Sequence, residues 1–274
     1  MNIVSLLNNS SFGILSIKYY KNKIATSSYR LTDIYIWDVF NGFPIAVLEN
    51  NEAIYGLAFS NDGEYLFSGS ITGKIKKWDI ENSSLASESQ GHSSCVYCIE
   101  YGDKYFLTGS MDKKVKMWND NCILLKEFEV GFSVCFLYLS VDCGKFGVLG
   151  WNSKVKIWDI NKNKNIQIED ENNSFLRLFF CPNGKYIATT HYYNIIKIWK
   201  IDCEENVKDY YFIYEKNNIT DISWEKCKIS DEYKNTIYDI FVKIFPEEII
   251  EKIINIMCNK YALLLKDEIL FCEQ

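Results

Sequence analysis

Histidine is almost absent from this chain: His92 and His191 are the two among 274 residues. That scarcity removes most routes to general-base catalysis and to zinc coordination. Basic charge is not in excess either. Lys and Arg number 30 against 36 Asp and Glu, a net charge of −6. No electrostatic case exists for a nucleic-acid backbone as ligand. No stretch approaches the ~20 apolar residues that span a bilayer, so no membrane partner is expected. The amino-terminal segment MNIVSLLNNSSFGILSIKYY has no basic region followed by a continuous apolar core, so no secretory signal is expected. A cytoplasmic or nuclear location, not a secreted one, is the corresponding expectation. Hydrophobic residues make up 48% of the chain, enough for a real core. The length suits one large domain or a domain with a tail.

Ten cysteines are present. In a reducing compartment they read as free thiols. Cys95-Val-Tyr-Cys98 is a lone CxxC, and a spacing of three on a strand puts the thiols on opposite faces. With no second pair and two histidines, zinc or redox chemistry is not expected, nor any other cofactor. Gly69-Ser-Ile-Thr-Gly73-Lys74 imitates a phosphate loop, but one intervening residue is missing and Ile75 stands where a hydroxyl must meet Mg²⁺. His191, beside Thr189 and Thr190, has no third group to orient it as a catalytic base.

What the chain does have is a beat. Trp37, Trp78, Trp118, Trp158 and Trp199 recur at spacings of 41, 40, 40 and 41. Three are followed by Asp, at Asp38, Asp79 and Asp159; the others read Trp118-Asn119 and Trp199-Lys200. A period near 40 closing on Trp-Asp marks a four-stranded propeller blade. Counting back from each Trp gives an inner strand with apolar residues at i, i+3 and i+5. These are Phe12, Leu15, Ile17; Ile54, Leu57, Phe59; Val96, Ile99, Tyr101; Val134, Leu137, Leu139; and Phe175, Leu178, Phe180. Hairpin turns follow at Asn61-Asp62-Gly63 and Pro182-Asn183-Gly184. Second strands read KIATSS, YLFSGS, YFLTGS, FGVLG and YIATT; third strands read DIYIW, KIKKW, KVKMW, KVKIW and IIKIW. Their period-two alternation is that of half-buried strands.

This pattern resembles the WD40 repeat family, most closely over GHSSCVYCIEYGDKYFLTGSMDKKVKMWND at 91–120. The resemblance implies an all-β, WD40-type β-propeller with five clear blades and one or two degenerate ones. It also implies a buried network of His92, Thr108, Asp112 and Trp118. The indole N–H and the imidazole both need partners once buried, and the turn carboxylate fixes the histidine tautomer. Where Asp112 sits, the other units have Leu31, Thr72, Asn152 and Tyr193. The strand hydroxyl recurs as Thr26, Ser68 and Thr189, with Leu149 replacing it in the fourth unit. Lys76, Lys116, Lys156 and Lys197, two before each Trp, read as a feature of the fold rather than an RNA groove.

The end of the chain leaves two readings open. One divides it into a propeller at 1–229 and a short helical tail at 230–274. Ser230, Asp231 and Glu232 give helix-start signals, as do Pro246, Glu247 and Glu248. The other continues with degenerate blades six and seven, closed by residues 2–7, which align with IAVL at 45–48. FPEEIIEKIINIM at 245–257 resembles the opening of an F-box, which implies an adaptor of a ubiquitin ligase as a partner; an amphipathic capping helix is the plainer reading.

Partner-binding candidates come from the upper rim. The residue seven before each Trp belongs on the turn between second and third strands: Arg30, Ile71, Met111, Trp151 and Tyr192. Tyr55 and Tyr97, second in their inner strands, belong near the same rim. Such side chains are enriched where partners bind. The expected function is a non-enzymatic scaffold that takes proteins or peptides there. Alternatives are a ubiquitin-ligase substrate receptor and, with less in its favour, a propeller enzyme.

Overall fold

A computed structural model of the chain describes residues 14–140, 144–168, 175–180, 186–191, 195–201 and 207–214. The expectations for residues 2–7, the Pro182 turn, Tyr192, the sixth blade and the 230–274 tail lie outside the described residues.

The described part is all β. Blade one comprises β1 (Ile14–Tyr20), β2 (Lys23–Ser28), β3 (Ile34–Asp38) and β4 (Pro44–Leu48). Blade two comprises β5 (Ile54–Phe59), β6 (Tyr65–Ser70), β7 (Lys74–Asp79) and β8 (Ser84–Gln90). Blade three comprises β9 (Val96–Tyr101), β10 (Phe106–Ser110), β11 (Lys114–Trp118) and β12 (Leu124–Glu129). Blade four comprises β13 (Val134–Leu139), β14 (Lys145–Gly150), β15 (Val155–Asp159) and β16 (Lys164–Ile168). Blade five comprises β17 (Phe175–Phe180), β18 (Tyr186–His191), β19 (Ile195–Ile201) and β20 (Val207–Tyr214). Each sheet runs in chain order, as successive hairpins require. These are blades typical of WD40 repeats.

The chain divides into two compact units, Met1–Leu139 with Lys145–Trp158 and Ser140–Gly144 with Asp159–Gln274. In the first, the inner strands β1, β5, β9 and β13 lie side by side in that order. Apolar faces of neighbouring blades close on each other. Ile34, Ile36 and Leu48 of blade one share a core with Leu57, Leu66 and Trp78 of blade two. Phe67 and Ile75 of blade two meet Val96, Ile99, Phe106 and Trp118 of blade three. Close approach explains the recurring glycine of the second strand: a Cβ on Gly69 would lie 2.4 Å from a Val96 methyl, and one on Gly109 2.6 Å from a Val134 methyl. The second unit holds blade five, where Phe175, Leu178, Ile187 and Trp199 are buried.

The repeat tryptophans are hydrogen-bonded alike in four blades. Each indole N–H donates at 2.8 Å to a second-strand hydroxyl: Trp37 to Thr26, Trp78 to Ser68, Trp118 to Thr108 and Trp199 to Thr189. In blade four the Trp158 indole N–H is buried with no hydrogen-bond partner among the described residues. The residue responsible is Val148, a correction to the expected Leu149. Thr108 pairs with Ile99, and Ser68 with Leu57; in blade four it is Val148 that pairs with the matching Leu137. Leu149 pairs with Phe136, one residue out of step, and strand alternation turns it to the other face.

The Trp-Asp dipeptide has its own local reason. The Asp38 carboxylate accepts backbone N–H bonds from Phe40 and Asn41, Asp79 from Asn82, and Asp159 from Lys162. Asn119 serves blade three equally, accepting from Asn121 and Ile123. The side-chain oxygen thus nucleates the turn from third to fourth strand. The lysine two before Trp is also structural. Lys76 donates to Asn50 Oδ1 at 2.8 Å, Lys116 to the Gly91 carbonyl at 2.7 Å and Lys156 to the Val130 carbonyl at 2.8 Å.

Candidate partner-binding surface

Blade three carries the complete polar network. His92 Nδ1 lies 2.8 Å from Asp112 Oδ2, and Nε2 lies 2.7 Å from Thr108 Oγ1. With neutral imidazole one tautomer satisfies every atom: Nδ1–H donates to the carboxylate, Nε2 accepts from the threonine hydroxyl, and that oxygen accepts from the Trp118 indole. Burial by itself would raise the Asp112 carboxyl, but the hydrogen bond from His92, with backbone N–H groups of Ser93 and Lys114, holds it below its ordinary value. The network ties the entrance of blade three to the turn after β10, and so shapes the rim.

Blade two shows a rearranged version that sequence reading passed over. Glu52, 26 residues before Trp78, stands where His92 stands relative to Trp118. It bonds the Thr72 hydroxyl and pairs with Lys74 at 3.4 Å. Burial raises Glu52, yet its bonds to Thr72, Ser70 and Lys74 leave the carboxyl below its ordinary value. In blade two the acid stands at the entrance, in place of the histidine, and a hydroxyl stands on the turn, in place of the acid; the signal was the same count back from the Trp.

The turns after the second strands are pinned to the entrances of the inner strands. The Ile71 N–H donates to the Ala53 carbonyl and the Met111 N–H to the Cys95 carbonyl, both at 2.9 Å. Ser133 of the next blade reaches the Met111 carbonyl at 3.2 Å. In blade one Arg30 is exposed, its N–H 3.3 Å from the Ser28 hydroxyl. Met111 is 41% and Trp151 65% exposed.

Inner-strand tyrosines fill the space between these turns. Tyr55 and Tyr97 meet edge to face with ring centroids 5.2 Å apart, and Tyr97 meets Trp151 in the same way at 5.7 Å. Three blades thus contribute to one aromatic row. Burial pushes the Tyr55 phenol above its ordinary value, helped by Cys95 and by Tyr29. Burial does the same to Tyr97, with Cys95, Tyr55 and Cys135 adding to it. Tyr29, next to Arg30 and exposed, therefore neighbours the row from blade one; it was missed because it falls one residue off the position counted from Trp37. Of the rim candidates, the structure joins Tyr55, Tyr97 and Trp151 through their rings and sets Met111 beside Cys95; Tyr192 lies outside the described residues.

The cysteines near the row are unreactive by environment. Burial raises the Cys95 thiol to about 11 and the Cys98 thiol well above its usual range. Among the described residues Cys95, Cys98, Cys122 and Cys135 are free thiols, and no cluster of His, Cys, Asp or Glu is arranged to hold a metal. The phosphate-loop look-alike is the hairpin from β6 to β7. A second apolar feature stands at the other end of blade one, where Phe40, 88% exposed, and Phe43 project from the turn between β3 and β4.

With this geometry the comparisons with known proteins agree. The family described as WD domain, G-beta repeat, matches residues 42–79 and 83–119, so these segments are WD40 repeats. An Autophagy-related protein 16 of Arabidopsis thaliana is 32% identical over 79 residues, 29% of this chain and 15% of that protein. An F-box/WD-40 repeat-containing protein of the same plant is 33% identical over 78 residues, 26% of this chain and 14% of that protein. Cell division control protein 4 of Candida albicans is 28% identical over 103 residues, 37% and 15% of the two chains. The matches thus span about a seventh of each relative's length. WD40 repeats in this chain and in WD-repeat relatives support a protein-interaction scaffold in general.

Proposed function

We propose that the chain is a non-enzymatic scaffold that captures proteins or peptides on the rim of its first unit. The row of Tyr55, Tyr97 and Trp151 is the anchor, and the two edge-to-face ring contacts that form it carry the reading. Rigid aromatic side chains give large contact area at little cost in conformational entropy. Met111, Arg30 and Ile71 hold the positions in blades three, one and two that Trp151 holds in blade four, seven before the repeat Trp. The location that goes with this role is cytoplasmic or nuclear. The test is capture of bound proteins by the purified chain and by Trp151→Ala. The variant should lose capture and keep its melting temperature; loss of both together would show that Trp151 is packing rather than contact.

The F-box/WD-40 relative and the F-box-like segment 245–257 favour a second reading, a substrate receptor for a ubiquitin ligase. Deleting 245–274 should then abolish retention of an adaptor subunit, while Trp151→Ala leaves it intact. Equal retention by both variants would remove this reading.

A further inference from the structure

The aromatic row combines open ring faces with unspent donors. The repeat tryptophans Trp37, Trp78, Trp118 and Trp199 spend their indole N–H groups on strand hydroxyls. The Tyr20 hydroxyl donates to the Asn61 carbonyl and that of Tyr101 to Asp120, both at 2.6 Å. Among the described residues, no such acceptor stands at the hydroxyls of Tyr55 and Tyr97 or at the indole N–H of Trp151. Three donors that carry no charge are left to solvent or to a ligand. The ring contacts are steep, with interplanar angles of 74° at both, so each forms an L-shaped notch rather than a stack. No cation lies over these faces among the described residues, whereas lysines cover Tyr20, Tyr65, Trp78 and Phe128. The row is also held in place. The turn that carries Trp151 closes on itself: the Gly150 N–H donates to the Lys154 carbonyl and the Ser153 N–H to the Gly150 carbonyl, both at 3.0 Å. A Cβ on Gly150 would lie 2.4 Å from the Phe132 ring, so the turn rests directly on that ring. Tyr55 and Tyr97 are half-buried on inner strands. A partner therefore meets preformed notches, and little ordering cost falls on binding.

A matching segment must bring compact apolar plates for the notches and free acceptors for the donors. A helix spends its carbonyls internally. An extended strand of ordinary residues brings as many N–H groups as carbonyls, and each N–H covered without a partner costs free energy. Proline has no N–H, and a polyproline II helix makes no internal hydrogen bonds, so its carbonyls all face outward as acceptors. Its pyrrolidine rings are flat and apolar, and the helix is already formed before binding. It rises about 3.1 Å per residue with three residues per turn, so about one turn covers the two centroid steps of 5.2 and 5.7 Å. From this complementarity, and resting on the rim reading above, we infer that the occupant is a proline-rich segment of a partner protein in polyproline II form. Its prolyl rings lie in the two notches, and its carbonyls accept from Tyr55, Tyr97 and Trp151.

Selection from a random-peptide phage library tests this on the intact chain. The wild-type pool should be enriched in peptides with at least two prolines within about one polyproline turn, and Trp151→Ala should not retain them. The double variant Tyr55→Phe/Tyr97→Phe keeps the rings and removes two donors. A selected peptide should bind it roughly tenfold more weakly, as the loss of two neutral hydrogen bonds implies. An unchanged melting temperature shows that this variant is folded. Added salt should leave wild-type binding within about twofold, because the donors are uncharged. A Trp151-dependent pool without prolines, or one whose binding falls steeply with salt, overturns the proline-rich occupant and leaves the rim reading standing. Full binding by the double variant overturns it in the same way. A pool with no dependence on Trp151 overturns both.

Discussion

Val148 shows how much one side chain decides inside a repeat. Valine and threonine have the same shape, yet four blades place a hydroxyl under the indole and blade four places a methyl. The Trp158 N–H is left buried without an acceptor. Such an atom costs roughly 1–3 kcal/mol of desolvation. Val148→Thr should therefore stabilise the protein by about 1 kcal/mol, read as a higher denaturant midpoint with an unchanged slope. Leu149→Thr, on the other face, should not. Asp112 gives the complementary case in acid. Its carboxyl is held below its ordinary value, so its stabilisation is present above the unfolded-state pKa and is lost as pH falls through the lower folded value. Asp112→Asn should lower stability at neutral pH and flatten the acid side of the pH–stability curve; an unchanged acid slope would mean that other carboxylates set it.

Each four-stranded blade is amphipathic on both faces and stable only against its neighbours. Contacts between blades should thus be the most costly to disturb. Trp78 joins the core shared by blades one and two, and its truncation to Ala should cost roughly 3–5 kcal/mol in chemical denaturation. Gly69 tests the same contact from the opposite direction. An added methyl must displace Val96 or the inner strand beneath it, so Gly69→Ala should destabilise by roughly 1–3 kcal/mol. Val96→Ala should recover part of that loss when combined with it, because it vacates the volume the methyl needs. The Trp-Asp turns are separate local devices. Asp79→Asn should be nearly neutral in the same assay, as Asn119 already serves in blade three.

At the scale of the molecule, inner strands and turns of successive blades build a surface that no single repeat contains. Tyr55, Tyr97 and Trp151 come from three blades and are separated by 42 and 54 residues. Trp151→Ala should leave the melting temperature within about 1 °C of wild type, since exposed substitutions rarely exceed ±0.5 kcal/mol. Partner capture should nevertheless fall. Calorimetry beside a capture assay separates the two effects.

The sequence alone determined the repeat. A Trp every 40 or 41 residues, two-residue alternation and turn chemistry are local quantities, so strand order could be counted before any coordinates, but in blade one the structure corrects the expected Phe12 and Leu15: Ile14 and Ile17 pair with Ser28 and Thr26 as Val96 and Ile99 pair with Ser110 and Thr108. The full network of His92, Thr108, Asp112 and Trp118 could be named by the same count. The expected Leu149 is one position out: ten residues before Trp158, the interval of Ser68 to Trp78, Thr108 to Trp118 and Thr189 to Trp199, stands Val148, and its pairing with Leu137 places it on the face of the indole. Tertiary structure also decided the contact between aromatic rings of different blades and the bond between Glu52 and Thr72. These depend on distances between residues remote in the chain, which the spacing of a repeat does not contain.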